Sequence, residues 1–373
     1  MRRWSSRPVM AVAAMVLVWL CSAAIATGQQ PQMSDEAFKN VQALKGIPVD
    51  EFMGTMGLFS AALSMCCGDC HTGAGTSNPK WEADPPRKRT ARRMVQMVDV
   101  INKANFNGRR VVTCWTCHRG QPRPAATPPM DRIYGEPVNE PADILPVASS
   151  AVPTIDQILD RYVAAMGGAK LSSITSLTAK GTSIGYGEVG KGDPAELYAR
   201  APNQLMTIVH QRDGDMSRVF DGQNGFFMLP LTIVQVYPWT DGAIQGAKLE
   251  AEMMFPDMIK SYLTDWRVSF PITLDGREVD VVQGTGPDNL LATLYFDKQS
   301  GLLNRLIHYR MSAVGRVPTQ IDLADYKPVG GRMFPSKWSY AWVSGREEYT
   351  WTDAQANAAV DQTKFAKPVP RSR

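Results

Sequence analysis

Residues 64–73 read SMCCGDCHTG: Cys66, Cys67 and Cys70 fall within five residues, and His71 follows the last of them. Four chemistries use such a cluster: a disulfide, a zinc site, a thiol nucleophile and a covalently attached haem. The spacing Cys67-Gly68-Asp69-Cys70-His71 recurs at Cys114-Trp115-Thr116-Cys117-His118. Two thiols three positions apart can reach both vinyl groups on one porphyrin edge, and the next histidine then comes under the ring to meet iron. Cys-x-x-Cys-His is therefore the signature of c-type haem attachment. Two zinc-binding Cys-x-x-Cys pairs would not need the histidines. A thioredoxin-like dithiol needs a βαβ setting, and a Cys67–Cys70 disulfide would close a small, strained loop.

The distribution of cysteine agrees with a cofactor. Six occur, at 21, 66, 67, 70, 114 and 117, and none in the last 256 residues. A disulfide framework would staple the whole chain. The expectation is two covalently attached haem c groups, one on Cys67, Cys70 and His71, the other on Cys114, Cys117 and His118. Cys66 would lengthen the spacing by one residue, so it is expected to be a free thiol beside the first haem.

The amino terminus reads as an export signal over 1–28. Arg2, Arg3 and Arg7 precede the apolar run 9–20, and Ala24-Ile25-Ala26 offers a small-x-small cleavage site. The expected location is periplasmic. An uncleaved signal acting as a membrane anchor is the alternative. Val18-Trp19-Leu20 before Cys21 is a poor lipidation signal. The formal net charge is +4, and losing three signal arginines leaves the remainder close to neutral. Nucleic acid is not an expected partner, since such domains are strongly basic.

The 373 residues suggest about two domains, in an α+β multidomain arrangement. Residues 33–120 form a small, mostly helical haem-bearing domain. Residues 121–154 hold eight prolines among alanines and serines and read as a linker. Residues 155–366 form an antiparallel, β-rich half-barrel with one or two helices. In the first domain Phe52, Met56, Phe59 and Leu63 recur at helical spacing. A second helix starts after Asp84, a possible cap, with Pro85 and Pro86 in its first turn. Its stripe is Met94, Met97, Val98 and Ile101, and it ends near 105–108. In the last domain a helix spans 158–166, and strands are expected over 196–199, 205–211, 218–221, 278–283, 294–296 and 302–309. Residues 297–301 read as a hairpin loop, and further strands flank Gly330-Gly331 and Ser344-Gly345.

Each iron needs a sixth ligand. The remaining histidines, His210 and His308, lie in the other domain. Methionines 53, 56 and 65 precede the first motif, and 94 and 97 the second. A thioether opposite histidine raises the reduction potential and suits electron transfer.

The segment 40–48, then Ala91-Arg92-Arg93-Met94, Ile101-Asn102 and 112–120, resembles the cytochrome c subunit of photosynthetic reaction centres, in its short two-haem form from non-photosynthetic bacteria. The resemblance covers about 33–122 and departs from the full subunit in having two haems rather than four. It implies that each haem lies along a helix whose methionine is the distal ligand: Met56 for the first haem and Met94 for the second, with Met53 and Met97 as runners-up. More loosely, the carboxy-terminal part resembles LolA-like lipoprotein-carrier folds, which implies a concave face able to hold an acyl chain. His210 reads as a core histidine.

The expected function is electron transfer to a redox partner protein, without bond changes in a substrate. The alternative from another class is a haem enzyme, a peroxidase or small-molecule dehydrogenase with one open haem. A third reading makes lipid or quinone binding the main role. The basic run 87–93 either steers an acidic partner, neutralises haem propionates or is simply a solvated helix start.

Overall fold

Alternation of buried and open residues from 176 onward builds one antiparallel sheet. The computed structural model describes residues 30–127, 145–148, 152–185, 187–256 and 259–370. The expected signal, with Cys21, and most of the expected linker lie outside these residues. Among the described residues no helix is long and apolar enough to cross a membrane.

The helical part contains α1 (Val49–Leu63), the one-turn α2 (Cys67–Cys70), α3 (Pro86–Phe106) and α4 (Cys114–His118). Then come α5 (Ile155–Met166), β1 (Ser176–Gly185), β2 (Asp193–Arg200), β3 (Gln204–Gln211), β4 (Gly214–Phe220), β5 (Gly225–Met228) and β6 (Val236–Pro238). Helix α6 (Asp241–Glu252) interrupts the strands. They resume with β7 (Thr264–Val268), β8 (Ile272–Leu274), β9 (Arg277–Thr285), β10 (Leu291–Asp297), β11 (Leu303–Ser312), β12 (Gly315–Val329), β13 (Arg332–Trp342) and β14 (Gly345–Ala356).

The sheet order is β6-β5-β4-β3-β2-β1-β14-β13-β12-β11-β10-β9-β7, with β8 also on β9. It is an open sheet following helices, as the α+β reading expects. The hairpin read from 297–301 joins β10 to β11, with Thr293 opposite Ile307. Gly330-Gly331 and Ser344-Gly345 likewise turn β12 into β13 and β13 into β14.

Helix α5 is set by a capping box of Thr154 with Gln157 and ends at Gly167, φ 143°. Its stripe of Ile158, Leu159, Tyr162 and Met166 is fully buried, each residue contributing about 1.5–3 kcal/mol of transfer free energy. These side chains share one core with residues from both halves of the sheet, including Phe220, Val282, Phe296 and Trp351. The sheet thus wraps the helices. Leu145, from the expected linker, packs against a second cluster around Val279 and Tyr309, and Ala148 N–H donates to Val268 C=O at 2.9 Å.

Residues 31–373 form one compact unit. Helix α1 meets the sheet through two glycines. A Cβ on Gly54 would lie 2.5 Å from Arg310 Nη2, and one on Gly57 2.7 Å from Val343 Cγ2. Asp50, 3 % exposed, accepts from Thr240 N–H at 2.9 Å and from Thr240 Oγ1–H at 2.8 Å. Thr240 is the residue preceding α6, so a carboxylate from α1 caps another helix. Further along, Arg110 donates to Ser312 C=O, and Gly315 packs on Thr113.

Two outcomes are expected. Gly→Ala on an open helix stabilises by about 1 kcal/mol; Gly57→Ala should instead destabilise by about 1–3 kcal/mol, because the methyl overpacks against Val343, as read by thermal unfolding. Burial pushes the Asp50 carboxyl above its ordinary 3.8, with Arg310 and Thr240 pulling the other way. An acid with a raised pKa adds stability while protonated and loses it as pH rises through that raised value. The stability of the wild type relative to Asp50→Asn should therefore fall as pH is taken up from 3.8, measured by urea unfolding; a difference that grows with pH would refute this.

Candidate haem sites

Local hydrogen bonding shapes both cysteine clusters. Cys66 precedes α2 and forms a reciprocal cap with Asp69: Cys66 N–H donates to Asp69 Oδ2 at 2.9 Å, and the Cys66 sulfur accepts from the Asp69 N–H. Those contacts hold the Asp69 carboxyl below its ordinary value. Cys67 and Cys70 then stand at i and i+3, on one side of a single turn. In the second cluster Thr113 and Thr116 form the same kind of box ahead of α4, and Cys114 and Cys117 take the i, i+3 relation. Cysteines 66, 67, 70, 114 and 117 form no disulfide.

Buried Asn102 of α3 sets the approach to the second cluster. Its Nδ2 donates to Val112 C=O at 2.7 Å, and its Oδ1 accepts from Val111 and Val112 N–H at 3.0 and 2.9 Å. Cys114 packs with Leu58, Ala62 and Val314, and burial pushes its thiol up to about 11. Cys67 and Cys117 are exposed, and Cys70 is half-buried.

The expectation paired each helix with the cluster that follows it. The packing is crossed. Helix α1 contacts the second cluster as well, and α2 contacts α3. Gly120 N–H donates to Ala62 C=O at 3.0 Å, and Ser64 Oγ donates to Gly120 C=O at 2.7 Å, which ties the end of α1 to the end of α4.

Three observations test whether these residues suit a haem. First, His118 Nδ1 lies 3.0 Å from Gln121 C=O. A carbonyl can only accept, so Nδ1 carries the hydrogen and Nε2 keeps the lone pair a metal needs. Second, His71 Nδ1 is buried with no hydrogen-bond partner among the described residues. Leaving such a nitrogen unpaired costs about 1–3 kcal/mol, a cost that ligation through Nδ1 itself would offset and ligation through Nε2 would not. Burial also lowers the His71 pKa, favouring the neutral ring that ligates; the Trp81 ring sits 5.3 Å from it, tilted.

Third, the apolar stripes are only partly covered by the chain. On α1 the buried residues include Gly54, Thr55, Gly57, Leu58 and Ala62, whereas Phe52, Met56, Phe59 and Leu63 are only half-buried, as is Met53. The stripe read from the sequence is thus a different face from the one most deeply buried. Helix α3 has 21 residues and buries only Val98 and Asn102. Met94 is half-buried and Met97 is 44 % exposed. Apolar faces beside each cluster, with methionine on both, fit a large flat hydrophobic group.

Asp84 does not cap α3. Pro85 holds that position, and the Asp84 carboxylate instead accepts from Arg92. The basic run is largely spent on neighbours. Arg87 pairs with Asp69 at 2.7 Å, and Lys88 donates to Trp81 and Ala83 C=O at 2.7 and 3.0 Å. Arg89 reaches Asp84 C=O, and Arg92 also reaches Asn40 C=O. The run clamps the 69–84 loop behind His71, a role the sequence reading missed; the Asp69 and Asp84 carboxylates flanking that loop were its available signal.

The other two histidines lie in the sheet. His210 is half-buried, not a core residue, and pairs with Asp215 at 3.0 Å across the β3–β4 end. His308 is 4 % exposed and bonded to Glu250. Among the described residues no group of three or more His, Cys, Asp and Glu side chains lies together as a metal site.

Residues 11–142 match the family described as photosynthetic reaction centre cytochrome C subunit. The photosynthetic reaction center cytochrome c subunit of Thermochromatium tepidum is 36 % identical over 97 residues, 24 % of this chain and 22 % of that protein. The chain thus spans about a fifth of that curated relative's length. That family implies covalently bound haem c. Similar solved structures include a DUF1329 family protein from Desulfovibrio piger (9 % identity, TM-score 0.40, covering 58 % of this chain and 98 % of that one). Another is a LolA superfamily protein from Nitrosomonas europaea (12 % identity, TM-score 0.37, covering 58 % and 99 %).

Replacing Cys66 tests the cap against the attachment. Cys66→Ala should leave haem attachment at Cys67 and Cys70 intact while costing about 0.5–2 kcal/mol of stability, and Cys66→Ser should restore most of it. Loss of one haem in Cys66→Ala, read from the haem-to-protein ratio, would contradict this.

Proposed function

We propose that this chain is an exported dihaem c-type cytochrome that carries electrons to a redox partner protein. The observation that carries the reading is the repeated Cys-x-x-Cys-His motif. Each copy is set on a capped single turn beside a methionine-bearing apolar helix face that the chain leaves partly open. Cys67 and Cys70 would hold one haem, and Cys114 and Cys117 a second. His71, His118, Met56 and Met94 would supply the protein ligands to the two irons. A haem so held supplies an iron that changes oxidation state by one electron.

The chain's own residues do the rest. Gln121 C=O fixes the His118 tautomer. Arg87, Lys88 and Arg92 keep the 69–84 loop, and with it His71, in place. As ligands, the thioethers of Met56 and Met94 would favour the reduced state, and the apolar stripes of α1 and α3 would limit water at the group. The export signal supports a periplasmic location, where such thiols can be matured.

Produced with a c-type haem maturation system, the protein should carry two covalent haems per chain by pyridine haemochrome assay, and the Cys114→Ala/Cys117→Ala double variant one. A chain without covalent haem overturns the reading. Met56→Ala and Met94→Ala should each lower the midpoint potential of one haem in a redox titration; unchanged potentials would sink the ligand assignment.

A further inference from the structure

The face of the sheet that packs on α6 contains a cavity of about 40 Å³ between α6 and strands β3, β4, β11, β12 and β13. Phe220, Trp239, Leu306 and Trp338 make its apolar walls, and Arg218, Glu250 and Tyr340 also line it. The polar groups have capacity to spare. Arg218 stacks on the Tyr340 ring, 3.2 Å from its centroid, and makes only long hydrogen bonds of 3.4 Å to Thr207 Oγ1 and Tyr349 OH. Among the described residues its Nη1 has no hydrogen-bond partner. Glu250 Oε1 accepts from Tyr340 OH at 3.0 Å and from His308 Nε2 at 2.9 Å; its Oε2 accepts from none of the described residues.

The arrangement is held firmly. His308 is buried, and a Cβ on Gly246 would lie 2.5 Å from its Cε1. Helix α6 therefore closes directly on the imidazole, and His308 acts as a positioning residue for Glu250. With Nε2–H given to Glu250, its buried Nδ1 is left without a partner. A half-buried cation and a half-buried carboxylate, each with hydrogen-bonding capacity to spare and both facing one apolar cavity, are sites that a polar ligand group could complete.

We propose that this cavity binds the headgroup of an apolar hydroquinone. A hydroquinone hydroxyl both donates and accepts, so it can give its hydrogen to Glu250 Oε2 while its oxygen takes one from Arg218 Nη1. The ring suits walls of tryptophan and phenylalanine. A fatty-acid carboxylate would instead stand beside Glu250 and be repelled, and a plain hydrocarbon would leave both polar groups unpaired. The cavity as it stands has room for only a few waters, so the ring must displace a wall. Met253 and Met254, unbranched and adaptable, form part of it. This inference concerns the sheet alone and does not depend on the haem reading.

Isothermal titration calorimetry on the full chain tests it, with tetramethylhydroquinone and dodecanoate as the two probes under anaerobic conditions. Saturable one-site binding of tetramethylhydroquinone is expected, at least about tenfold tighter than dodecanoate. Glu250→Gln and Arg218→Gln should each weaken it about tenfold or more, the scale of a hydrogen bond to a charged group. Should either variant misfold by circular dichroism, Leu323→Phe decides. It fills the cavity, keeps every polar group, and should abolish binding. No saturable heat with tetramethylhydroquinone, tighter binding of dodecanoate, or wild-type binding in Leu323→Phe overturns the proposal. Calorimetry reads binding whether or not haem is attached, so failure here and failure of the cytochrome reading are separable.

Discussion

A single buried carboxylate joins the two kinds of structure in this protein. Asp50 leaves the first turn of α1 and ends on the N–H and hydroxyl of Thr240, at the start of α6. A helix N-terminus presents unsatisfied N–H groups and a positive end of the dipole. Most helices meet that need with their own capping residue, but Thr240 makes no side-chain cap here. The charge comes instead from the helix that carries Met53 and Met56. Because α6 carries Glu250 and closes on His308, one contact sets the position of both the first cluster's helix and the cavity's acidic group. Gly54 and Gly57 make it feasible, since any side chain there would hold α1 away from Arg310 and Val343.

The cysteine clusters owe their shape to polar contacts that need no cofactor. Two capping boxes, the Asn102 amide and the arginine-clamped loop behind His71 each satisfy backbone groups that would otherwise be open. Thiols and imidazoles are thereby placed on single turns with little freedom. Pre-forming the loops in this way reduces the entropy lost when a large ligand is bound.

Much of this was legible in the sequence because period and spacing carry it. The β10–β11 hairpin, the turns at Gly330 and Ser344 and the stripe of α5 all follow from alternation or 3.6-residue recurrence. Helix α6 was not legible. Its buried residues include Gly246, Ala247 and Ala251, so it shows no strong stripe, and its glycine is there for His308, a residue some sixty positions away. The stripe of α1 was legible, but its glycine-bearing side, the one most deeply buried, was not. Sequence marks where apolar side chains lie, and a glycine face against a sheet gives no such mark. His210 and Asp84 were misplaced for a related reason, since cross-strand Asp215 and helical Arg92 were better partners than the ones proximity suggested.

The burial of Cys114 has a consequence for the order of events in making this protein. Its sulfur packs with Leu58 and Ala62 of α1 and with Val314 in the turn from β11 to β12. That turn lies some two hundred residues downstream and is synthesised late. While the chain is still emerging, Cys114 stands open; once the turn has docked, it is covered. On the proposed cytochrome reading, a machinery that must reach this sulfur has to act before the sheet closes on it, so the timing of sheet completion becomes part of how the second cluster is made.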